Sequence, residues 1–310
     1  MIVELMVTVA MTAAPVEKPL TARGPQGDLA GTLVDAGKAA PVVLIIPGSG
    51  PTDRNGNNPL GVTAAPYRLL AEGLAGRGIS SVRIDKRGIF GSKAAIPDAN
   101  KVTIADYATD AHAWVQSARA ATGARCVWLL GHSEGGLIAL AAGQKPKGIC
   151  GVITVSGVGR KLGAVMRDQL NANPANAPIL PAAMAALDSL EAGKTVDSDA
   201  LPAPLQPLFN SAVQPFLIDL LAQDPARLAT ALTIPLLVIQ GDKDIQVSVE
   251  DAKLLAAAQP KAELAILQGV NHVLKIPAGD DRGANLATYA DPSLPIAPSV
   301  IDAVAGFVRP

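Results

Sequence analysis

Apolar residues gather in short runs along this chain, and longer mixed segments separate them. Val42 to Ile46 is continuous, rich in β-branched side chains and closed by Pro47-Gly48. Such a run suits a strand buried on both faces of a parallel sheet. Ile79 to Ile84, Val127 to Leu130, Ile149 to Val155 and Leu236 to Ile239 read the same way, and the segments Tyr67 to Gly76, Ile104 to Ala121, Gly135 to Gly143 and Val249 to Ala258 between or after them read as helices. Strand and helix in alternation predict right-handed β-α-β units, and hence an α/β fold with a doubly wound, mostly parallel sheet. Ligands bind such a sheet beyond the carboxyl ends of its strands.

From about Gly159 to Thr233 the strand rhythm stops. The chain there is Pro-studded and helix-forming, with Met166 to Leu170, Pro181 to Ala192 and Leu205 to Leu221 as the expected helices. A helical insertion on the ligand side of a sheet is a cap, which shapes a pocket and excludes water. The expected division is therefore a core of residues 15–158 and 234–310 with a helical cap at 159–233. A separate helical domain is the weaker alternative, because the strand resuming at Leu236 closes the same sheet. Residues 1–14 stand apart: Ile2 to Ala14 is apolar and ends in small residues, as a signal peptide does, but Glu4 occupies the place of a cationic leader. On its residues the segment is only weakly signal-like, and the compartment, cytoplasmic or periplasmic and secreted, stays open.

Composition narrows the partners. The 310 residues are 49% hydrophobic and 17% charged with a net charge of −1. No apolar run reaches bilayer-spanning length, and no basic stretch alternates with aromatics, so neither stable membrane insertion nor nucleic acid is expected. A neutral small molecule is the expected ligand, and a homodimer is compatible with the sequence. The two cysteines, Cys126 and Cys150, have no C-x-x-C spacing and the three histidines do not cluster. The expectation is two buried thiols, no metal site and no cofactor.

Chemistry enters at Gly131-His132-Ser133-Glu134-Gly135, which follows the run ending at Leu130 and opens a small-residue helix. A G-x-S-x-G pattern between strand and helix raises a serine on a strained turn, clear of the sheet. The pattern alone is weak in a chain with 29 glycines; its place between strand and helix strengthens it. A serine hydroxyl needs a base, and the base needs an orienting acid. Of the three histidines, His132 adjoins the nucleophile and points away from it, and His112 lies in an earlier helix. His272, in a loop after the strand-like Leu264 to Leu267, remains. The acid should follow a strand that precedes this histidine, where Asp242 and Asp244 alternate along one loop and point in different directions; both stay open on spacing alone. Attack on an acyl carbonyl also needs backbone N–H donors for the oxyanion. One is the N–H of Glu134 at a helix N-terminus, whose exposed side chain contributes nothing. The other belongs to the small-residue loop Pro47 to Gly56, with Ser49 the choice and Gly50 its neighbour and alternative.

Taken together, Pro47 to Gly56, Arg83 to Gly88, Gly131 to Gly135, Gly241 to Val247 and Asn271-His272 resemble the α/β-hydrolase superfamily, specifically its serine esterases of bacterial carboxylesterase type. The resemblance runs from about Leu29 to Val308 apart from the cap. It implies Ser133 as nucleophile and His272 as base. It also places the acid three residues after the glycine of the late strand loop, on Asp244, leaving Asp242 as a solvated turn residue free to pair with Lys243. Many members carry His-Gly where this chain has Pro47-Gly48, so the loop must be braced from elsewhere, with Asp53, Arg54 and Asn55 as candidates. Asp85 and Arg87 read either as a brace beside the pocket or, preferably, as an ion pair with each other. The implied activity is hydrolysis of carboxylic esters with small to medium acyl groups through an acyl-enzyme. A peptidase, amidase, thioesterase or acyltransferase would use the same machinery, and a non-catalytic binding scaffold would not need it. Dehalogenases and epoxide hydrolases of this fold carry Asp in place of Ser133.

Overall fold

The computed structural model describes residues 16–308, so the signal-like segment at 1–14 lies outside the described residues. The chain opens with a hairpin of β1 (Glu17–Arg23) and β2 (Asp28–Val34). It continues through β3 (Val42–Ile46), α1 (Pro66–Ala75), β4 (Ser80–Ile84), α2 (Ile104–Thr122), β5 (Val127–His132), α3 (Glu134–Gly143) and β6 (Ile149–Val155). Four helices follow, α4 (Leu162–Asn171), α5 (Leu180–Glu191), α6 (Gln214–Ala222) and α7 (Pro225–Thr230). The sheet then resumes with β7 (Leu236–Gly241), α8 (Val249–Ala258) and β8 (Glu263–Leu267), and α9 (Arg282–Ala287) and α10 (Pro298–Val308) finish the chain.

The eight strands lie in the order β1-β2-β4-β3-β5-β6-β7-β8. The pairs β1-β2 and β2-β4 are antiparallel and the rest are parallel. Strand order reverses beside β3, because β4 lies on one side of it and β5 on the other. The loops leaving β3 and β5 therefore open a crevice at the carboxyl edge, where such a sheet binds ligands.

Both faces of the sheet are covered. Val42, Leu44 and Ile46 of β3 pack into one core with Trp114 and Leu137 from α2 and α3. Val43 and Ile45 pack into the other with Leu70 of α1 and Val304 of α10. This alternation is why the strand reads as an unbroken apolar run. Helix α2 begins with a capping box in which Thr103 and Asp106 satisfy each other's backbone N–H, and it ends at Gly123 with φ 74°.

Two expectations need correction, and one element went unanticipated. The segment Leu205 to Leu221 is not one helix: a short 3₁₀ turn covers Ala203–Leu205, and α6 starts only at Gln214. Pro207 and Pro215 explain the break, since each removes a backbone donor and forbids a continuous helical ladder. The hairpin β1-β2 was not anticipated, because its first strand is mostly exposed and carries no apolar run. Cys126 and Cys150 are not thiols but form a disulfide, bridging the amino ends of neighbouring strands β5 and β6 across a separation of 24 residues. Strand adjacency, which spacing does not reveal, brings the two within reach. Among the described residues no helix is long and apolar enough to cross a membrane.

Candidate active site

Ser133 stands between β5 and α3 with φ 53° and ψ −122°, a conformation that L-residues avoid at a cost on the order of 1–3 kcal/mol. Its N–H donates to Val155 O at 2.9 Å and its carbonyl accepts from Gly136 N–H at 2.9 Å, which over-determines the turn. The flanking glycines are required by close approach. A Cβ on Gly131 would lie 1.9 Å from Gly135 O, and one on Gly135 would lie 2.3 Å from Ile46 O.

His272 sits in the loop after β8, with 5% of its surface exposed. Its Nδ1 pairs with Asp244 Oδ2 at 2.8 Å, and the Asp244 side chain is fully shielded from solvent. Gln240 Nε2 also donates to Oδ2 at 3.0 Å, and the N–H groups of Gln246 and Val247 donate to Oδ1 at 2.8 and 2.9 Å. Burial alone would raise this carboxyl. The charge of His272 and the donors around the carboxyl outweigh burial and hold it below the usual carboxylate range. Asp242 is placed differently: it is exposed, and its Oδ1 accepts from Gly269 N–H at 2.7 Å, which braces the turn after β8. Lys243 pairs with Asp280 at 2.7 Å rather than with Asp242. Ser133 and His272 line one cavity. Among the described residues no hydrogen bond joins the two side chains, and such contacts commonly tighten only once substrate is bound.

His132 points away from Ser133 into a buried chain of hydrogen bonds. Its Nε2 lies 2.8 Å from His272 O, and because a carbonyl only accepts, that nitrogen carries the proton. Nδ1 then accepts from Tyr67 O–H at 2.9 Å, and the Tyr67 oxygen accepts from Gly48 N–H at 3.0 Å. Burial first, and the neighbouring His272 second, push the His132 imidazole down to about 3, so it is neutral over the working pH range. His112 lies on α2, outside this cluster.

The loop after β3 is braced as Pro47 requires. Asp53 Oδ1 accepts from the N–H groups of Asn55 and Asn57, both at 2.8 Å. Arg54 donates its N–H and its guanidinium to Asp85 at 2.9 to 3.1 Å and 2.5 Å, and Asn55 accepts from Arg83. Asp85 and Arg87 do not pair with each other: Asp85 holds this loop, and Arg87 binds Asp110 and Asp106 of α2. Glu134 is buried, not exposed, and pairs with Lys86 at 2.9 Å. Sequence reasoning passed over Gln240, Tyr67 and Lys86. Gln240 could have been noticed as a polar side chain continuing a buried apolar strand.

Two cavities flank Ser133. The larger, about 570 Å³, is lined by Ser49, Gly50 and Glu134 and by Leu162, Met166 and Phe216 from the helices between β6 and β7. The smaller, about 160 Å³, is lined by Tyr67, His132, His272, Asn58 and Tyr289.

A family model described as serine aminopeptidase, S33, matches residues 60–190. The chain is 27% identical over 268 residues to Esterase EstD of Thermotoga maritima, covering 83% of this chain and 60% of that protein. Among solved structures, it superposes on the Pyrococcus furiosus esterase Pf2001 with a TM-score of 0.56 at 17% identity, over 95% of this chain and 92% of that one. A thermophilic esterase from Thermogutta terrifontis gives 0.56 at 17%, over 95% and 98%. Est1E from Butyrivibrio proteoclasticus gives 0.56 at 17%, over 93% and 99%. The chain adopts the α/β-hydrolase fold. Its parallel sheet, with the serine turn after β5 and the late histidine after β8, is the α/β-hydrolase fold. The stretch matched by the family model holds the serine turn but neither Asp244 nor His272. The chain spans 60% of the length of its curated relative.

Proposed function

We propose that this α/β-hydrolase cleaves carboxylic esters through Ser133, His272 and Asp244. The observation that carries the reading is the sealed His272–Asp244 pair at 2.8 Å, set in the same cavity wall as a serine on a strained strand-to-helix turn. Asp244 holds Nδ1 of His272 protonated, so Nε2 is free to take the proton from Ser133 Oγ as that oxygen attacks the ester carbonyl. The developing oxyanion is received by the N–H groups of Ser49 and Glu134, with Gly50 the alternative to Ser49. Neither the Ser49 N–H nor the Gly50 N–H is consumed by another acceptor among the described residues. His272 then protonates the leaving alcohol, and water drawn through the same base releases the acid.

The two cavities divide the substrate. His272 must reach the leaving oxygen, and it lines the smaller cavity, so the alcohol lies there. The acyl group then occupies the larger, mostly apolar one, whose outer wall comes from the helices of 159–233, acting as a cap. This arrangement suits small to medium acyl chains and a compact alcohol.

The aminopeptidase description of the family model points to a second substrate class, amides with a free amino terminus. Recognising an ammonium group requires an unpaired carboxylate at the site. Among the described residues lining either cavity, Glu134 is the one carboxylate, and Lys86 already neutralises it. This favours esters. The test is a panel of p-nitrophenyl esters of increasing acyl length against aminoacyl p-nitroanilides, run on the parent and on Ser133→Ala. Turnover of short and medium esters, with a loss of at least about 10³-fold in the variant, is expected. Preferential anilide turnover would overturn the substrate assignment, and an active Ser133→Ala enzyme would overturn the mechanism.

A further inference from the structure

The Lys86 ammonium is almost completely buried, in a position that the triad chemistry does not use. Its Nζ donates to Gly48 O at 2.7 Å and to Glu134 Oε1 at 2.9 Å, and it lies 5.2 Å from the centre of the Tyr107 ring. Gly48 belongs to the loop after β3 and Glu134 to the turn after β5, so a single cation bridges the two segments that supply the oxyanion donors. We propose that Lys86 is a positioning residue that sets the geometry of the oxyanion hole. The inference rests on the ester-hydrolase reading above and deepens it.

The peptide plane supplies the argument. Gly48 C=O and Ser49 N–H belong to one trans peptide unit and point in opposite directions. Drawing the carbonyl oxygen back onto Lys86 therefore aims the Ser49 N–H the other way. The adjacent peptide is fixed as well, because Gly48 N–H donates to Tyr67. The segment sits hard against the nucleophile: a Cβ on Gly48 would lie 3.2 Å from Ser133 Cβ. On the other side, the Glu134 side chain is held through Lys86, and the backbone N–H of that same residue is the second donor. Burial alone would lower the Lys86 ammonium. Glu134 beside it outweighs that cost and holds the ammonium above its ordinary value, so the clamp is a charged one at neutral pH. A buried ion pair is weak evidence of stabilisation for its own sake. Its value here lies in joining two backbone segments whose relative placement decides catalysis.

The test is steady-state kinetics of Lys86→Met on a p-nitrophenyl ester, with binding of an alkyl boronic acid, which forms a tetrahedral adduct on the nucleophile, as a second readout. Because Lys86→Met leaves Glu134 buried without a counter-ion, the double variant Lys86→Met/Glu134→Gln is measured beside it. Loss or misdirection of one oxyanion donor costs about 10²–10³-fold in kcat, so kcat is expected to fall about 10²-fold in both variants. KM should stay within about threefold, and boronate affinity should weaken in parallel with kcat/KM. Folded variants with unchanged kcat, or with a loss confined to KM, would overturn the proposal. So would failure of both variants to fold, since Lys86 would then serve the core. Ser133→Ala keeps the two levels apart. If it is inactive while the double variant turns over normally, the hydrolase reading stands and the Lys86 inference falls. If it is active, the reading itself falls.

Discussion

Asp242 and Asp244 lie two residues apart on one loop, yet their surroundings are opposite in character. Asp244 is enclosed, receives three donors and meets His272; Asp242 is exposed and holds a turn. Asp244→Asn should therefore lower kcat by about 10⁴-fold, because an amide presents the wrong partner to Nδ1. Asp242→Asn should leave kcat within a factor of about two, and equal losses in the two variants would contradict this assignment. Much of the candidate site's geometry was legible at this scale, because a serine turn is encoded in five consecutive residues between a strand and a helix. The supporting residues were not, because their partners lie far along the chain. Lys86 meets Gly48 across 38 residues, and Tyr67 meets His132 across 65. Glu134 was misread as exposed for the same reason: its burial depends on a lysine delivered by another strand.

At the scale of elements, the parallel strands were readable because each is buried on both faces, and the hairpin β1-β2 was not, because it is an exposed edge of mixed polarity. Among the ties between the core and the helices that separate β6 from β7, the most highly charged is a cluster around Arg160. Arg160, just after β6, donates to both carboxylate oxygens of Asp251 on α8, at 3.0 and 2.9 Å, and to Asp168 on α4 at 2.8 Å. Burial would raise the Asp251 carboxyl, but Arg160 and Ser248 outweigh it and hold the group below its ordinary value. A carboxyl lowered by folding adds stability above its unfolded value, about 3.9, and that contribution fades as pH falls through the folded value. Thermal unfolding of the parent and Asp251→Asn should therefore differ most near pH 7 and converge below about pH 4. A gap that stays constant with pH would contradict the assignment.

For the molecule as a whole, the carboxyl edge of the sheet carries the candidate site and the amino edge carries the covalent brace. The Cys126–Cys150 disulfide lies at the far ends of β5 and β6 from Ser133. Closing a loop of this length is worth about 3 kcal/mol in the unfolded chain. Reduction should therefore lower the unfolding temperature by several degrees and leave kcat at 25 °C unchanged; loss of activity in step with reduction would show that the two edges are coupled. Doubly wound architecture was legible from strand and helix alternation, whereas the disulfide required knowing which strands are neighbours. The most direct test of the central claim is mass spectrometry of the intact protein after reaction with a fluorophosphonate. One adduct per chain is expected, on the peptide that contains Ser133, and none on Ser133→Ala. Equal labelling of the variant, or an adduct on another residue of the parent, would contradict it.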